Sequence, residues 1–460
     1  MAGIGFALRK LMRHKDYLGV VRAYSYAGII GAGPWVISIL GVILLGFLSL
    51  NHVFPPRLIS EFQTSVTYLI ASSLIFSGVW QLAFTRYVAD RIFDREHDRV
   101  LPNVNGLLVV AMACAFALAA LAALFLFANT GVVYRLLMTT LFSLLTGIWV
   151  VAVMLTGLKH YRAIVISFAV AYGVMLGIGL LMRPYGLIGL LVAFLLGQCL
   201  LFAGLLGAVT RDYPSPNLLA FDFLKRGRMY PSLLACGFLY NAAIWADKFV
   251  FWFTPDTSQP VIGPLRASAI YDLPIFLAYL AIIPGMAVFL MRVETDFVEY
   301  YDRFYEGVRE GASLSYIRNM RNGMVTSAKT GIFDIIKLQS LTTILAFVVG
   351  PSVLRALGIS LLYVPLFKID VVGASLQVAL MGILNIFFYL DRRARVVALT
   401  AIFFGLNLGL SILSTDLGLY FYGYGFSVSL LVSVLVGLVW LDRDMEAVEY
   451  QTFMLQPWTH

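Results

Sequence analysis

The sequence predicts an all-α integral membrane protein, because it is unusually apolar, contains long uncharged runs and concentrates its basic residues between alternate runs. Apolar residues make up 60% of the 460 positions and charged residues only 13%, and the mean hydropathy is +0.87. Soluble domains average about 45–50% apolar and about 25% charged residues. Lipid is therefore the expected solvent for most of these side chains.

The apolar runs are long enough to cross a bilayer. A transmembrane helix needs about 20 residues to span a hydrocarbon core of about 30 Å. The runs lie near residues 23–50, 63–87, 105–128, 132–158, 163–183, 186–210, 229–253, 268–291, 331–354, 369–390, 396–415 and 419–441. The sequence therefore predicts about twelve transmembrane helices.

The basic residues indicate how these helices are oriented. When residues 1–22 are placed in the cytoplasm, most of the 33 lysines and arginines fall in cytoplasmic loops, and the outer loops carry few. Such an excess of Lys and Arg is typical of cytoplasmic loops. We therefore expect a multi-pass protein of the cytoplasmic (inner) membrane with both termini, including a tail over 442–460, in the cytoplasm.

Two segments outside the spans are predicted to be amphipathic. Residues 1–22 are basic and place Ile4, Leu8 and Leu11 on one helical face, which indicates a helix along the cytoplasmic interface and not a cleaved signal peptide. Residues 293–330 begin with an aromatic stripe surrounded by carboxylates. They are expected either to extend the eighth span over the lipid headgroups or to form a docking surface for a cytoplasmic partner.

The order of the spans predicts two related halves. A six-helix bundle over 23–210 is followed by a basic cytoplasmic linker at 211–228 and a second six-helix bundle over 229–441. Because each half has an even number of spans, both halves have the same orientation in the membrane. Such repeats place the transport path at the interface between the halves.

The ends of the second and eighth spans carry the same motif, Arg-x-x-x-Asp. Arg86 and Asp90 form it in the first half, and Arg292 and Asp296 form it 206 positions later. We therefore predict that the two pairs are related by duplication and lie at the cytoplasmic gate.

The seventh span contains the clearest candidate for the transport path. Asn241, Trp245, Lys248 and Trp252 fall on one helical face, and Asp247 points about 100° away from Lys248. We therefore do not expect the adjacent pair to neutralise itself. An ionisable residue in a span usually faces a cavity or a partner, and indole faces suit the C–H faces of sugars. The alternative is that Lys248 snorkels and Asp247 pairs with an arginine of another span.

The second span adds a polar face to this candidate path. Trp80 and Gln81 lie on the same face as Ser73 and Ser77. Because serines in spans commonly serve as helix-packing contacts, only Trp80 and Gln81 are taken as candidates for the path.

The first span is predicted to be kinked. Gly28, Gly31 and Gly33 precede Pro34, and Trp35 follows as a further candidate for the path. Glycines followed by a proline weaken a helix at that point. Gly31, Gly33 and Pro34 are therefore expected to form either a moving hinge or a static kink.

Several function classes are not indicated. The sequence has no P-loop motif for nucleotide hydrolysis and no large extramembrane domain for a sugar transferase. Its three cysteines lie in apolar runs, and its five histidines are scattered over loops and termini. We therefore expect no enzyme activity, no metal or other cofactor, and no nucleic-acid partner.

Residues near the amino terminus carry a resemblance to a known family. Residues 1–10 (MAGIGFALRK), 22–28 (RAYSYAG) and 33–36 (GPWV) resemble the PelG family, the membrane transporters of Pel exopolysaccharide systems. A looser pattern is similar to the polysaccharide flippases of the multidrug/oligosaccharidyl-lipid/polysaccharide (MOP) superfamily. That pattern consists of Asp247, Lys248, Tyr271, Pro284, Arg292 and Asn407.

The resemblance implies a MATE-like fold, with two six-helix bundles around a central cavity that opens by alternating access. It also implies export of a Pel-like amino-sugar exopolysaccharide. The implied partners are a cytosolic PelF-like glycosyltransferase and PelD-like and PelE-like membrane proteins.

Two other functions remain open at this point. A drug or cation antiporter of the same fold should depend on buried carboxylates more than on a buried lysine. A non-transporting membrane scaffold for a polysaccharide synthase would need no path at all.

Overall fold

The computed structural model describes residues 17–50 and 52–454, apart from the side chains of residues 17–21, 23 and 35. Most of the predicted interfacial segment 1–22 and the end of the predicted tail 442–460 lie outside the described residues. The described chain is almost entirely helical. Its helices are α1 (Tyr17–Ser49), α2 (Arg57–Phe93), α3 (Val100–Phe125), α4 (Val132–Gly157), α5 (Tyr161–Met182), α6 (Gly186–Asp212), α7 (Pro231–Phe253), α8 (Ala269–Tyr279), α9 (Ile282–Met291), α10 (Val298–Glu310), α11 (Leu314–Ala356), α12 (Val364–Tyr389), α13 (Arg393–Leu417) and α14 (Tyr424–Met454).

The number of membrane spans agrees with the sequence prediction. Ten helical segments of the described chain are long and apolar enough to cross a membrane, and α1, bent at Pro34, makes eleven. One of the ten, Tyr161–Asp212, is 52 residues long, or about 78 Å at 1.5 Å per residue. It divides near Gly186, where φ is +59°, into α5 and α6, which pack against each other. Counting these as two spans gives twelve, and the prediction of an all-α multi-pass membrane protein is confirmed.

The chain forms two compact units. The first unit is Gly33–Ala269, which contains the end of α1, α2 to α7 and a short hairpin of β1 (Gln259–Ile262) and β2 (Leu265–Ala267). The second unit combines the chain up to Ala32 with everything from Ile270 onward. Thus α7, the first span of the predicted second bundle, belongs to the first unit, and the start of α1 belongs to the second. The predicted repeat boundaries, 23–210 and 229–441, stay a prediction.

In the first unit, α2 packs against α4 and α7, and α4 packs against α3 and α6. The core between them is aliphatic and aromatic, and includes Phe62, Phe84, Leu141, Phe168 and Phe194. The opposite faces of these helices expose large apolar side chains, as on α3, where Val109, Phe116, Leu118, Leu121 and Leu124 are exposed. Such faces suit contact with lipid, which satisfies apolar side chains as well as a protein core does.

The contact between α2 and α7 is unusually close. A Cβ atom added to Gly237 would lie 2.1 Å from the carbonyl oxygen of Gly78, and one added to Gly78 would lie 2.6 Å from the carbonyl oxygen of Gly237. Small residues allow helices in membranes to approach so closely. The two backbones therefore touch where any side chain would separate them.

The second unit contains a related contact. The start of α1 packs on α9, since a Cβ atom on Gly31 would lie 3.0 Å from Leu290 Cδ1 and 3.4 Å from Met286 Cβ. Gly31 and Gly237 are 206 positions apart, the same spacing as the two Arg-x-x-x-Asp motifs. In the first unit, α7 from the predicted second half packs on α2 from the first half. In the second unit, the start of α1 from the first half packs on α9 from the second half. Duplication of the two halves stays a prediction.

The predicted amphipathic segment 293–330 extends the helices of the second unit. A π-helical turn, Arg292–Phe297, joins α9 to α10. Phe297 at the end of this turn and Phe304 of α10 are both buried. Gly311 ends α10 in the left-handed conformation at φ +70°, and the Ser313 hydroxyl caps the start of α11. The segment is thus a folded helical pair and not a loop.

Ion pairs connect α11 to the carboxyl-terminal extension of α14. Arg321 lies 3.0 Å from Glu449, and Lys329 lies 2.7 Å from Asp442. Hydrogen bonds from Arg321 and Arg318 hold the pKa of the Glu449 carboxyl below its usual value. Arg321 and Glu449 are half-buried, whereas Lys329 and Asp442 are exposed to solvent, and exposed ion pairs add little to stability. The main effect of these ion pairs is to hold the extension of α14 beside α11.

The predicted cytoplasmic linker is anchored to the first unit. The Asn103 side chain accepts a hydrogen bond of 2.8 Å from the Asp222 backbone N–H, and Phe223 is buried with its ring edge on Phe84. Hydrogen bonds from Lys225 and Asn103 hold the pKa of the Asp222 carboxyl below its usual value. This part of the linker therefore has a fixed conformation.

The contact between α2 and α7 predicts the effect of one added methyl group. Gly237→Ala should lower the melting temperature of the purified protein, because the methyl group would collide with the Gly78 carbonyl and overpacking costs about 1–3 kcal/mol. Gly177→Ala in α5 is the matched control, since no atom lies within 4 Å of its added Cβ. Equal melting temperatures for the two variants would contradict a tight α2–α7 contact.

Candidate functional site

The candidate path residues of α2 and α7 form a continuous line of hydrogen bonds. The Asn241 side-chain amide donates to the Gly237 carbonyl at 2.9 Å and to Gln81 Oε1 at 3.5 Å. Gln81 in turn donates to the Ser77 hydroxyl at 2.8 Å. The sequence placed Asn241 and Gln81 on separate helical faces, and the glycine contact brings these faces together.

One turn along α2 from Ser77, Ser73 contacts a third helix. The Trp149 indole N–H of α4 donates to the Ser73 hydroxyl at 2.9 Å. Ser73 is therefore an interhelical contact, in line with the packing role that was favoured for it. Trp149 was not a candidate from the sequence, because no residue pattern in the fourth span relates it to α2. Trp80 is half-buried and packs against the core of the first unit.

The sequence prediction for Asp247 and Lys248 was wrong in one respect. The Lys248 ammonium donates to Asp247 Oδ2 at 3.0 Å and to Oδ1 at 3.2 Å, so the adjacent pair does form an ion pair. Lys248 also donates to the Ile244 carbonyl one turn earlier, at 2.9 Å. The lysine side chain is flexible enough to reach across the angle of about 100° that separates Asp247 from Lys248 around the helix. The two residues are 0% and 3% exposed, and an unpaired charge at such depth would be costly.

The two indoles of α7 lie in different surroundings. Trp252 is 1% exposed, and its ring stacks on Tyr68 of α2 with 4.4 Å between ring centroids. Trp245 is half-buried, 6.1 Å from Trp252. Trp252 is therefore held by aromatic packing, whereas Trp245 retains an accessible surface. The role of either in transport stays a prediction.

The β-hairpin covers the end of this aromatic cluster. The Tyr68 hydroxyl donates to the Arg266 carbonyl at 3.0 Å, and the Arg266 guanidinium donates to the Ser258 hydroxyl at 2.8 Å and to the Ser258 carbonyl at 2.9 Å. The hairpin thus binds the Tyr68 hydroxyl, and Trp252 stacks on the Tyr68 ring. This hairpin was not predicted from the sequence, because its strands are only four and three residues long and lie between two apolar runs.

The two Arg-x-x-x-Asp motifs make the same local interaction. Arg86 lies 3.0 Å from Asp90 in the first unit, and Arg292 lies 3.0 Å from Asp296 in the second. Arg292 also lies 2.8 Å from Asp334 of α11. The second motif is therefore tied to a neighbouring helix, and its position within a π-helical turn is typical of functional segments.

A carboxylate beside the second motif was missed by the sequence analysis. Glu294 accepts hydrogen bonds from the Asn385 amide at 2.5 Å and the Tyr389 hydroxyl at 3.0 Å, both of α12. Its sequence context suggested only a charged residue of the amphipathic segment. The π-helical turn changes the helical phase and directs this side chain toward α12.

The kink predicted in the first span is present. The helix α1 bends at Pro34 and separates into Tyr24–Pro34 and Val36–Ser49. The Ser38 hydroxyl donates to the Pro34 carbonyl at 2.8 Å, just after the bend. Movement of a hinge at Gly31, Gly33 and Pro34 stays a prediction, and the Trp35 side chain lies outside the described residues.

Among the described residues, no group of three or more His, Cys, Asp or Glu side chains is arranged to bind a metal ion. The polar groups of the candidate site are amides, hydroxyls, indoles and one ion pair. Such groups bind hydroxyl-rich or amide-bearing ligands by hydrogen bonds and stacking.

The different surroundings of the two indoles can be tested by substitution. Trp252→Ala should lower the melting temperature strongly, because removing a buried tryptophan costs about 3–5 kcal/mol. Trp245→Ala should have a much smaller effect, because this indole is only half-buried. Thermal unfolding of both purified variants in the same detergent measures the difference. Equal losses would show that the two indoles are equivalent packing residues.

Comparison with known proteins identifies the family. Residues 1–453 match the family profile described as "PelG: Putative exopolysaccharide Exporter (EPS-E)". The comparison with curated proteins gave no match.

Solved structures show the same fold. The chain is similar to a MATE structure in the bent conformation, with 14% identity, a TM-score of 0.67 and coverage of 96% of this chain and 98% of the other. A multidrug resistance MATE family transporter of the MOP superfamily, in the outward-facing conformation, gives 14% identity and a TM-score of 0.66, with 92% and 96% covered. A MOP superfamily transporter from Pyrococcus furiosus gives 13% identity and 0.61, with 97% of both chains covered. The chain therefore belongs to the PelG family of exopolysaccharide exporters and has the fold of a MOP superfamily transporter.

Proposed function

We propose that this protein exports a Pel-like amino-sugar exopolysaccharide across the cytoplasmic membrane by alternating access. The observation that carries the proposal is the PelG family match over residues 1–453, on a chain with a transporter fold. The family supports an exopolysaccharide as the transported molecule. The amino-sugar chemistry is the more specific part of the proposal.

The line of polar groups on α2 and α7 supports a carbohydrate substrate. Gln81 and Asn241 offer amide donors and acceptors, and the accessible surface of Trp245 offers an aromatic face. Sugars combine C–H faces that stack on aromatic rings with hydroxyl and amide groups that need hydrogen-bond partners. We therefore place these residues, with Trp80 and Trp35, along the proposed path.

Lys248 is the residue proposed to act on the substrate from α7. Its ammonium can donate to sugar hydroxyls or carbonyls when the path opens, and Asp247 stabilises its charge when the path is closed. In this role Lys248 exchanges its contact with Asp247 for a contact with the substrate. A drug or cation antiporter would not require such a donor.

The proposed partners are a PelF-like cytosolic glycosyltransferase and PelD-like and PelE-like membrane proteins. The helical extensions of α10, α11 and α14 supply a structured surface for such an interaction. Both termini and these extensions are proposed to be cytoplasmic.

The proposed orientation predicts which positions are reachable from outside. In intact cells, cysteines at Arg95 and Arg226 should resist an impermeant thiol reagent, whereas a cysteine at Gln259 in the exposed hairpin should react. The native cysteines to be replaced by alanine beforehand are Cys114, Cys199 and Cys236. Permeabilised cells provide the control, since all three positions should then react. External labelling at Arg226 would overturn the orientation.

Substitution of Lys248 tests the transport proposal. Lys248→Met should abolish polysaccharide secretion while the protein remains in the membrane, and Lys248→Arg should retain part of the activity if charge is what matters. Because Lys248→Met removes the ammonium group that lies 3.0 Å from the buried Asp247 carboxylate, it should also lower stability. Secreted polysaccharide, membrane-bound protein and melting temperature are measured for each variant.

The double variant Asp247→Asn/Lys248→Met separates stability from transport. Removing both charges should recover part of the lost stability, but secretion should stay absent. Secretion at the wild-type rate from the double variant would remove Lys248 from the mechanism. Efflux of cationic dyes without any polysaccharide export by the wild-type protein would favour the antiporter instead.

A further inference from the structure

The second unit contains a polar cleft that the proposed path does not use. It has a volume of about 620 Å³ and lies between the α9–α10 segment and the first turns of α11. Its size falls within the range of about 300–1,000 Å³ that is typical of ligand sites. The residues that line it include Asp296, Glu299, Tyr300, Asn319, Asn322 and Thr326.

One wall of the cleft is a stripe of amides and hydroxyls on α11. Asn319, Asn322, Thr326 and Thr330 follow one another at three- and four-residue spacing, so they share a helical face. All four are exposed. The lining includes no aliphatic side chain, which makes a lipid tail or an apolar peptide a poor fit.

The opposite wall presents an aromatic ring. A Cβ atom on Gly323 would lie 2.5 Å from both Cδ1 and Cε1 of Tyr300, so the glycine makes room for the ring against α11. Tyr300 is half-buried and retains an accessible surface in the cleft. An aromatic surface beside amides and hydroxyls has the chemistry that recognises a sugar ring.

Two carboxylates complete the cleft, and both are held by arginines. Arg292 lies 3.0 Å from Asp296, and Arg303 lies 2.5 Å from Glu299. Fixed carboxylates accept hydrogen bonds from sugar hydroxyls and form stronger, charge-assisted bonds with an ammonium group. A hexosamine supplies both kinds of donor.

We propose that this cleft is a second carbohydrate site, which binds a hexosamine segment of the polymer on the cytoplasmic side before transport. The proposal rests on the proposed function and adds a site for the polymer outside the α2–α7 path. Asn322 and Thr326 donate and accept hydrogen bonds with sugar hydroxyls and N-acetyl groups. Tyr300 stacks on a ring face, and Asp296 and Glu299 bind free amino groups.

The test measures binding of defined oligosaccharides to the full-length protein in nanodiscs. The probes are chitopentaose in its N-acetylated and fully de-N-acetylated forms, titrated by isothermal calorimetry. The wild-type protein should show saturable binding, stronger for the de-N-acetylated probe. Asn322→Ala/Thr326→Ala should raise the dissociation constant about tenfold or more, and Tyr300→Leu should do likewise.

The matched control carries the same changes on the first unit. Thr210 and Asn217 are exposed polar residues far along the chain from the cleft, so Thr210→Ala/Asn217→Ala should bind like wild type. Binding that is equal in the cleft and control variants, or absent in the wild-type protein, would overturn the proposal. So would binding of a cytoplasmic protein that the cleft substitutions abolish while oligosaccharide binding persists.

Polysaccharide secretion distinguishes failure of this proposal from failure of the proposed function. If the wild-type protein secretes polysaccharide and the cleft variants secrete and bind like wild type, the cleft proposal fails and the export proposal stands. If the wild-type protein secretes none under any condition in which its partners are present, the export proposal fails. Reduced secretion together with weakened oligosaccharide binding in the cleft variants supports both.

Discussion

The close approach of α2 and α7 is the constraint on which the candidate site depends. In lipid, apolar surface gives helices little reason to associate, so close packing and hydrogen bonds between them decide which helices meet. Gly78 and Gly237 bring the two backbones together, and only then can Asn241 reach Gln81. A side chain at either glycine would separate the polar groups as well as the helices. The same contact thus sets both the packing and the polar line.

The ion pair on α7 adds a constraint of a different kind. Burying two charges costs more than burying an apolar pair of similar size, and a buried pair is therefore weak evidence for stability. Asp247 and Lys248 are both buried in a span, beside packed residues such as Trp252. Aromatic packing holds the end of α7 in place without them. This difference is the reason that Lys248, and not Trp252, stands at the centre of the proposed mechanism.

The sequence predicted the membrane class, the number of spans and the kink at Pro34, because hydropathy, charge and proline act locally. It failed for Asp247 and Lys248, since a helical wheel fixes the direction of Cβ but not the end of a flexible lysine side chain. Trp149 and Glu294 were missed because their partners, Ser73 and Asn385, are distant in the sequence. Glu294 also lies in a π-helical turn, which rotates the following side chains around the helix axis. A pattern that assumes about 3.6 residues per turn therefore assigns Glu294 to the wrong face.

The predicted linker does not lie between the two units of the chain. Residues 211–228 were expected to separate two bundles, yet Asn103 and Phe223 anchor this segment within the first unit. The chain passes between the units at Ala32–Gly33 and at Ala269–Ile270. The first crossing adjoins the glycines and proline of the kinked α1, where a helix bends at little cost. We therefore propose these two crossings, and not the basic linker, as the place of the hinge for the proposed alternating access.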